Sequence, residues 1–439
     1  MKMPSSTVSG EYFTEVPVIE VNSENFSSAI LHFYKVLSKA HLIALDLEMS
    51  GIGAVRGNYL NLKDRYNAYK SAAESRAVYS LGVAVFSLRK VKGRCIKYKS
   101  HVFNFLTMSD QPYTSDPDAL KFLTNHGFDL THHAQNSITY TPAYIANGAK
   151  AKKRNNSMKI VWKQILDTNV PIVFHNGLVD ITFIYAHFIG DLPDLVEQFV
   201  VNLYALFPRE RMLLDTKFYV EYSEKCVTSY LLHVFRKFQR QNYAQSSLDQ
   251  VYLNMKFPDN DDLIEYVTRV NTCIPSHVLE GDLSDSALLK ENICFKYMNH
   301  GFCHKTNCDK EHDVDLILDI EEVKQQKLRD RRKRKYQHIT GCIEKDNGDS
   351  TPPKVQKANK DIEELLAERK SNFGCVSHNA GMDAFMTGFS MLFMKRMLIL
   401  RGKDLSDEFS NQLTLPGKHF GLKIKAIEGF SSSLPPEIV

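Results

Sequence analysis

Short apolar runs alternate with segments of helical spacing between residues 15 and 270, and this pattern predicts an α/β fold. The runs at 42–47 and 77–86 predict central strands, and residues 98–105 alternate as a hairpin partner does. Residues 61–76 have the apolar spacing of a helix between the first two strands. Further elements are predicted at 116–125, 178–187 and 230–240 as helices, and at 170–174, 212–214, 411–415 and 421–425 as strands.

The apolar periodicity is interrupted after residue 270 and resumes at 372. The interrupting stretch contains a cysteine- and histidine-rich module at 288–315, followed by a basic block and a flexible linker at 324–371. Beyond the linker, a long helix is predicted to begin near Met382. We therefore expect one α/β domain, split into residues 15–270 and 372–425, with a small module inserted into it.

Composition narrows the class of protein. Of the 439 residues, 43% are hydrophobic and 24% are charged, which is typical of soluble globular proteins. No apolar run follows the first residues, so a secretory signal is not expected. Lys395 and Arg396 interrupt the most apolar helix, so a membrane span is not expected either. Eight cysteines without an export signal favour a reducing compartment, where clustered cysteines bind metals instead of pairing.

Four carboxylates and one histidine stand where the predicted elements would bring them together. Asp46 and Glu48 are two residues apart on a strand and therefore project from the same face. Asp180 falls in the first turn of its predicted helix and Asp383 near the start of the last long helix. His378 lies five residues before Asp383, on the loop that enters that helix. The sequence thus predicts one site made from three distant segments.

Such a site predicts metal-dependent hydrolysis. Four acids in one place are electrostatically unfavourable unless cations neutralise them, and oxygen ligands favour Mg²⁺ or Mn²⁺. Two such ions roughly 3.5–4 Å apart activate a water and stabilise a leaving oxygen. His378 would take a proton from that water in its neutral form, so activity is expected to rise with pH through the histidine pKa. Each of the three segments alone could be an ordinary polar strand end or a surface histidine. All three together, in this order and on these predicted elements, make coincidence a poor explanation.

Five neighbouring residues have two interpretations each. Asp215 either orients a neighbouring group or caps a helix, and capping is the default because Asp is a preferred N-cap residue. The other four adjoin the acids and contact either a substrate base or the core, and they are Met49, Ile52, Phe174 and His175.

The motifs around the acids resemble the poly(A)-specific ribonuclease (PARN) group of deadenylases, which are 3′-to-5′ exonucleases of the DEDDh type. The resemblance extends from about residue 15 to 425 and rests on residues 44–51, 64–66, 80–82, 103–105, 127–129, 175–177, 215–217 and 378–388. It implies a ribonuclease H-like fold, Mg²⁺ dependence and removal of 3′-terminal adenosines. It also implies metal ligation by Asp46, Glu48, Asp180 and Asp383 and a catalytic role for His378. All five match the pattern, which argues against an inactive relative.

A zinc site is predicted inside the insertion. Cys294, Cys303, Cys308 and His312 have the spacing C-x8-C-x4-C-x3-H, and three thiolates with one imidazole form a closed tetrahedral Zn²⁺ site. Aromatic and basic residues alternate around the ligands, as stacking on single-stranded bases requires, and they are Phe295, Lys296, Tyr297, Phe302 and Lys305. A CCCH zinc finger that aids RNA binding is the preferred interpretation. A structural zinc clip without RNA contact is the alternative.

The segment 327–335 is basic at seven of nine positions. Such a block is either a nuclear import signal or a contact for phosphates, and nuclear import is the first interpretation. A solvated linker without a partner is disfavoured, because so dense a run of like charge repels itself.

A PARN-like nuclease interrupted by a CCCH finger and a basic block resembles one nuclear member of that family. The resemblance implies residence in the nucleus, in Cajal bodies or nuclear speckles, and trimming of small nuclear RNA 3′ tails. The implied partner is RNA with a single-stranded 3′ end, a small nuclear RNA or a poly(A) tail, with no membrane; the sequence identifies no protein partner. Two alternatives stay open: a DNA 3′-exonuclease, and a zinc-finger RNA-binding adaptor without catalysis.

Overall fold

The chain divides into two compact units, Met1–Thr272 with Cys375–Val439, and Cys273–Gly374. The computed structural model describes residues 12–53, 61–145, 157–258, 261–283, 290–305, 307–340, 366, 379–404, 409–418 and 420–434. Among these residues, no helix combines the length and apolar character needed to cross a bilayer.

Strands of the larger unit form one mixed sheet. They are β1 (Glu15–Val21), β2 (Leu42–Met49), β3 (Val78–Lys92), β4 (Cys95–Ser109), β5 (Ile138–Tyr140), β6 (Ile172–Phe174), β7 (Leu213–Asp215), β8 (Tyr252–Lys256) and β9 (Val267–Asn271). The order across the sheet is β7-β6-β2-β3-β4-β1-β9, and both β5 and β8 pair with β4. Two short strands, β10 (Gln412–Leu413) and β11 (Leu422–Lys423), pair with each other apart from it.

Strand β2 lies near the middle of this sheet. It pairs antiparallel with β3, where Asp46 is opposite Gly82 and Glu48 is opposite Ser80. Its other edge pairs parallel with β6, which in turn pairs parallel with β7. The pairing of β2 with β3 shifts register between Glu48 and Met49, and such bulges often occur next to functional sites because they re-aim side chains.

The helices of the larger unit flank the sheet. They are α1 (Phe26–Leu37), α2 (Leu62–Ser75), α3 (Pro117–Asn125), α4 (Leu130–Asn136), α5 (Ser157–Leu166), α6 (Leu178–Ile184), α7 (Val196–Leu206), α8 (Thr216–Tyr222) and α9 (Leu231–Ser247). The last long helix, Ala380–Leu400, belongs to the same unit and packs on β2 and β3. Its apolar residues are buried on nearly all sides, which explains why so hydrophobic a helix is a core element.

The helices of the smaller unit include α10 (Ser276–Glu280), α11 (Phe295–His300) and α12 (Val314–Thr340), and the helix at Ala380–Leu400 is called α13. Ile293, Leu316 and Ile317 form its small apolar cluster. His277 Nε2 lies 2.8 Å from the fully buried carboxylate of Asp319. A cluster of so few apolar residues buries little surface, and small modules of this kind often gain folding free energy from a bound metal.

The α/β class predicted from the sequence is confirmed, and the predicted strands and helices are all observed. Several observed elements were not predicted, α1, α4, α5 and α7 among the helices, and the predicted elements differ in three places. Strands β3 and β4 run for 15 residues each, because their polar ends pair with one another and the end of β4 also pairs with β8. Residues 185–189 continue α6 as a π-helical turn. Residues 324–340, predicted as part of a basic block and linker, lie in helix α12.

Candidate metal centre

Three of the four predicted acids form one group. Asp46 and Glu48 project together from β2, and Asp383 joins them from the first turn of α13. One carboxylate oxygen from each of the three lies within 4.8 Å of the others. The period-two geometry of the strand therefore explains the first pair, whereas the third acid depends on how α13 packs.

The fourth acid, Asp180, lies in the first turn of α6 and outside this 4.8 Å group. It is nevertheless close enough that its charge contributes to raising the pKa of Asp46. The backbone amide of Leu47 on β2 also acts on the Asp180 carboxyl, which is consistent with a position beside that strand. Asp180 therefore stands at the border of the acid cluster.

Glycine 82 allows α13 to reach the acids. Gly82 is opposite Asp46 in the sheet, and a Cβ added there would lie 1.9 Å from the carbonyl oxygen of Ala380. Any side chain at this position would displace the start of α13. Asn379 caps the helix by accepting hydrogen bonds from the amides of Gly381 (2.9 Å) and Met382 (3.3 Å). This cap and the close approach together place Asp383 beside Asp46.

The electrostatics of the cluster favour a cation. Burial, together with the charges of Asp383, Asp180 and Glu48, raises the pKa of Asp46 well above its usual range. Burial also raises the pKa of Asp180 to about 7, against the opposing effect of backbone hydrogen bonds. Acids that are this reluctant to ionise need a positive charge to hold them deprotonated. Their hard oxygen donors fit Mg²⁺ or Mn²⁺.

His378, the predicted proton acceptor, lies outside the described residues. Its position in the chain is one residue before Asn379, the residue that caps α13. The assignment of His378 as a general base therefore stays a prediction.

Asp215 is the cap that its sequence setting predicts. Its side chain accepts hydrogen bonds from the amides of Lys217 (2.9 Å) and Phe218 (3.3 Å) at the start of α8. It also accepts from the amides of Asn176 (2.9 Å) and Gly177 (3.3 Å), which precede α6. This second role was missed by sequence reasoning, since nothing local links positions 38 and 39 residues apart. Asp215 thereby fixes the turn that leads to Asp180.

The structure distinguishes among the four residues, Met49, Ile52, Phe174 and His175, that the sequence assigned either to a substrate base or to the core. Phe174 is fully buried in the main apolar cluster, which favours the packing interpretation. The Nδ1 atom of His175 lies 2.7 Å from the Thr216 hydroxyl, and burial lowers the pKa of His175 to about 3, so this ring is neutral. Ile52 is exposed, and Met49 is partly buried at the edge of the core.

The predicted zinc ligands also converge. One ligand atom from each of Cys294, Cys303, Cys308 and His312 lies within 4.8 Å of the others, across 19 residues of chain. A tetrahedral site with Zn–S bonds of about 2.3 Å requires a group of this size. Burial alone would raise the pKa of the Cys294 thiol, but hydrogen bonds from the Tyr297 amide and the other ligands lower it to about 6. A lowered thiol pKa suits a metal-binding thiolate.

The aromatic residues of this module divide into two sets. Phe295 and Phe302 are exposed, as predicted for residues that stack on bases. Tyr297 is not: it packs against the apolar cluster of the smaller unit and stacks on His312 with ring centroids 4.9 Å apart. Tyr297 therefore packs against the predicted ligand His312, which corrects the expectation that all three aromatics face solvent.

Parts of this chain are similar in sequence to known ribonucleases. Residues 21–159 and 145–391 match the model of the CAF1 family ribonucleases. The poly(A)-specific ribonuclease PARN of Xenopus laevis is 24% identical over 136 residues, which are 28% of this chain and 21% of that protein. PARN of Arabidopsis thaliana is 27% identical over 137 residues, 28% of this chain and 19% of that protein. The chain thus matches about a fifth of the length of these relatives.

A solved structure is also similar in part. The structure of S. pombe Pop2p in its Mg²⁺- and Mn²⁺-bound form has a TM-score of 0.38 and 18% sequence identity, and the match covers 51% of this chain and 82% of that chain.

Proposed function

The chain belongs to the CAF1 family of ribonucleases, and from this membership we propose that it is a metal-dependent 3′-to-5′ exoribonuclease that removes 3′-terminal adenosines. The observation that carries the proposal is the grouping of Asp46, Glu48 and Asp383 within 4.8 Å, with Asp180 at its border. Carboxylates placed this close together repel one another, so a group of three is not expected unless it binds a cation.

The residues divide the chemistry among them. Two divalent ions, Mg²⁺ or Mn²⁺, would be held by the four acids Asp46, Glu48, Asp180 and Asp383. Bound ions of this kind lower the pKa of water and offset the charge that develops on a leaving 3′-oxygen. We propose that His378 takes the proton of the attacking water, which a neutral imidazole at the entrance of α13 can do.

A direct test uses matched oligonucleotides. Purified protein is expected to shorten single-stranded RNA with an adenosine tail from its 3′ end, faster than the same RNA with a uridine or cytidine tail. Chelation of divalent ions should stop the reaction and Mg²⁺ should restore it. Equal rates on a DNA copy of the tail would replace the proposal by the alternative of a DNA 3′-exonuclease. No shortening of any substrate would favour an adaptor without catalysis.

We expect Mg²⁺ binding to strengthen as pH rises through about 7, because the cation must displace protons from acids with raised pKa values, Asp180 at about 7 among them. Each displaced proton changes the apparent affinity by up to about tenfold per pH unit below the pKa. Calorimetric titration of metal-free protein with Mg²⁺, without RNA, at a series of pH values measures this separately from His378. An affinity that is the same at about pH 6 and about pH 8 would contradict it.

We further propose that the zinc-binding module aids RNA binding. The proposal is supported by the exposure of Phe295 and Phe302 beside Lys296 and Lys305. Aromatic faces among cations bind single-stranded bases with little sequence preference. A structural zinc clip without RNA contact would leave these aromatic side chains without a role.

Replacing Cys303 with serine is expected to release Zn²⁺ and weaken binding of long tailed RNA by about tenfold or more, since stacking contributes about 1–3 kcal/mol per base. Hydrolysis of a very short oligoadenylate should change little, because Cys303 belongs to the smaller compact unit and the acids to the larger one. Zinc content, RNA affinity by fluorescence anisotropy and short-substrate rates are the measurements. Cys273→Ser, an exposed cysteine of the same unit, is the control. Loss of short-substrate hydrolysis in Cys303→Ser would contradict a modular insertion.

Nuclear residence, in Cajal bodies or nuclear speckles, and small nuclear RNA 3′ tails as substrates complete the proposal. The support is the basic block at 327–335, together with the resemblance of the whole arrangement to a nuclear PARN-like member. Neutralising Arg331, Arg332 and Lys333 is expected to move a fluorescent fusion toward the cytoplasm. Unchanged nuclear fluorescence would leave the block with phosphate contact as its role.

A further inference from the structure

Hydrogen bonds from three neighbouring segments hold the chain that follows Glu48. The register of β2 shifts between Glu48 and Met49, so regular strand pairing ends there. Beyond this point Ser50 makes the hydrogen bonds that hold the chain. Its amide donates to the carbonyl of Ala77 at 2.9 Å. Its hydroxyl donates to the carbonyl of Thr114 at 2.8 Å and accepts from the Ala77 amide at 3.0 Å.

Beyond Ser50, one carboxylate holds the chain. Asp116 Oδ2 accepts a hydrogen bond from the amide of Gly53 at 2.8 Å. The guanidinium of Arg76 donates hydrogen bonds to the same carboxylate, with Nη2 at 2.7 Å from Oδ1 and Nε at 3.2 Å from both oxygens. Gly51 has a φ of +149°, and a Cβ there would lie 2.2 Å from Asp116 Oδ2. Only glycine therefore lets this carboxylate approach so closely.

We propose that Arg76 and Asp116 are a positioning pair that fixes residues 49–53, and with them the placement of Glu48 and the exposed Ile52 side chain. Arg76 directly precedes Ala77, the residue that pairs with Ser50. Asp116 sits at the start of α3, and its own amide donates to the carbonyl of Ser50 at 2.8 Å. The pair thus joins the end of α2 and the start of α3 to the segment that leaves the acid cluster.

A role in stability alone does not explain this arrangement. The side chains of Arg76 and Asp116 are 16% and 27% exposed, so the cost of removing both charges from water offsets much of what their attraction adds to the free energy of unfolding. A bidentate guanidinium contact contributes geometric specificity instead. The hydrogen bonds from Arg76 hold the pKa of Asp116 below its usual range, so the pair stays charged at neutral pH. What the pair supplies is a fixed direction for the chain beside Glu48.

The test is a double-mutant cycle with Arg76→Ala, Asp116→Ala and the double variant. Each single change is expected to weaken Mg²⁺ binding and to lower kcat/KM on an oligoadenylate by roughly ten- to a hundredfold, because small misplacements of reacting groups cost this much. The double variant should be no more than a few-fold worse than either single variant, since both remove the same restraint. Arg76→Lys, which keeps the charge but not the fork, should recover only part of the loss.

A matched control separates positioning from folding. Glu224, 20% exposed, pairs with Arg401 at 2.8 Å beyond the far end of α13, about 27 Å along that helix from Asp383. Glu224→Ala should leave Mg²⁺ affinity and kcat/KM unchanged, with melting temperatures of all variants compared alongside. The proposal is overturned if Asp116→Ala matches Glu224→Ala in both measurements well below the melting transition, or if the two single effects multiply in the double variant.

The kinetic part of this inference rests on the proposed nuclease function, whereas the Mg²⁺ titration does not. An inactive wild-type protein would therefore end the nuclease proposal. Loss of Mg²⁺ affinity in Asp116→Ala would then still support the positioning pair, and an unchanged affinity would overturn it.

Discussion

Replacing Asp46 with asparagine is expected to abolish tail shortening, lowering kcat/KM by at least about a hundredfold. Changing a residue that merely orients metal ligands lowers affinity or activity by about 10–100-fold, and Asp46 belongs to the proposed ligand group itself. Asparagine has nearly the same shape but cannot offer a negative charge, so Mg²⁺ binding should weaken in parallel. Rates on a tailed RNA and calorimetric Mg²⁺ titration are the two measurements.

The same substitution should leave the metal-free protein at least as stable as the wild type. The pKa of Asp46 is raised by burial and by its acidic neighbours, so its charged form is disfavoured in the folded state. A neutral asparagine removes that penalty. An unchanged or higher melting temperature in chelator, combined with lost activity, is therefore the signature of a functional acid. Glu24→Gln, at an exposed position, is the control, and tail shortening within a few-fold of wild type in Asp46→Asn would refute the assigned site.

Replacing Gly82 with alanine is expected to disable the site without touching any predicted ligand. The new methyl group would overlap the carbonyl oxygen of Ala380, at 1.9 Å, so α13 must shift away from the sheet and take Asp383 with it. Overpacking of this kind costs about 1–3 kcal/mol of unfolding free energy. Denaturant unfolding, Mg²⁺ titration and tail shortening should all be affected in this variant.

Gly190→Ala is the matched control for this change. A Cβ at Gly190 would meet no heavy atom within 4 Å, and its φ of 172° is extended backbone that alanine adopts readily. The control should keep both Mg²⁺ affinity and activity. If Gly82→Ala retained wild-type Mg²⁺ affinity, the packing of α13 on β3 would not be what brings Asp383 to the other acids.

Local patterns in the sequence were enough wherever the geometry is itself local. The two-residue spacing of Asp46 and Glu48 places them on one face of a strand, and β2 has this form. The Asp-Thr-Lys motif predicted a capping role for Asp215, which is confirmed. The four predicted zinc ligands lie within 19 residues, so their spacing alone restricts them to a small volume.

Sequence reasoning was less successful where packing decides. It did not identify the second role of Asp215 at Asn176, which depends on β6 and β7 lying side by side. Tyr297 was expected to face solvent but is held against the small apolar cluster and His312. The contact between Arg76 and Asp116 joins residues that are 40 positions apart, and no periodic pattern in the sequence predicts it.

The sequence by itself placed the four predicted acids in their strand and helices, because helix and strand periods turn spacing directly into side-chain direction. Only the tertiary structure decided that a carboxylate oxygen of Asp383, more than 300 residues beyond Asp46, lies within 4.8 Å of those of Asp46 and Glu48. It also decided that Asp180 lies outside this group, at the border of the acid cluster. The position of Asp383 depends on the close contact of Gly82 with Ala380, and on the cap at Asn379. Long-range packing is set by the complementary shapes of surfaces, which spacing along a chain does not encode.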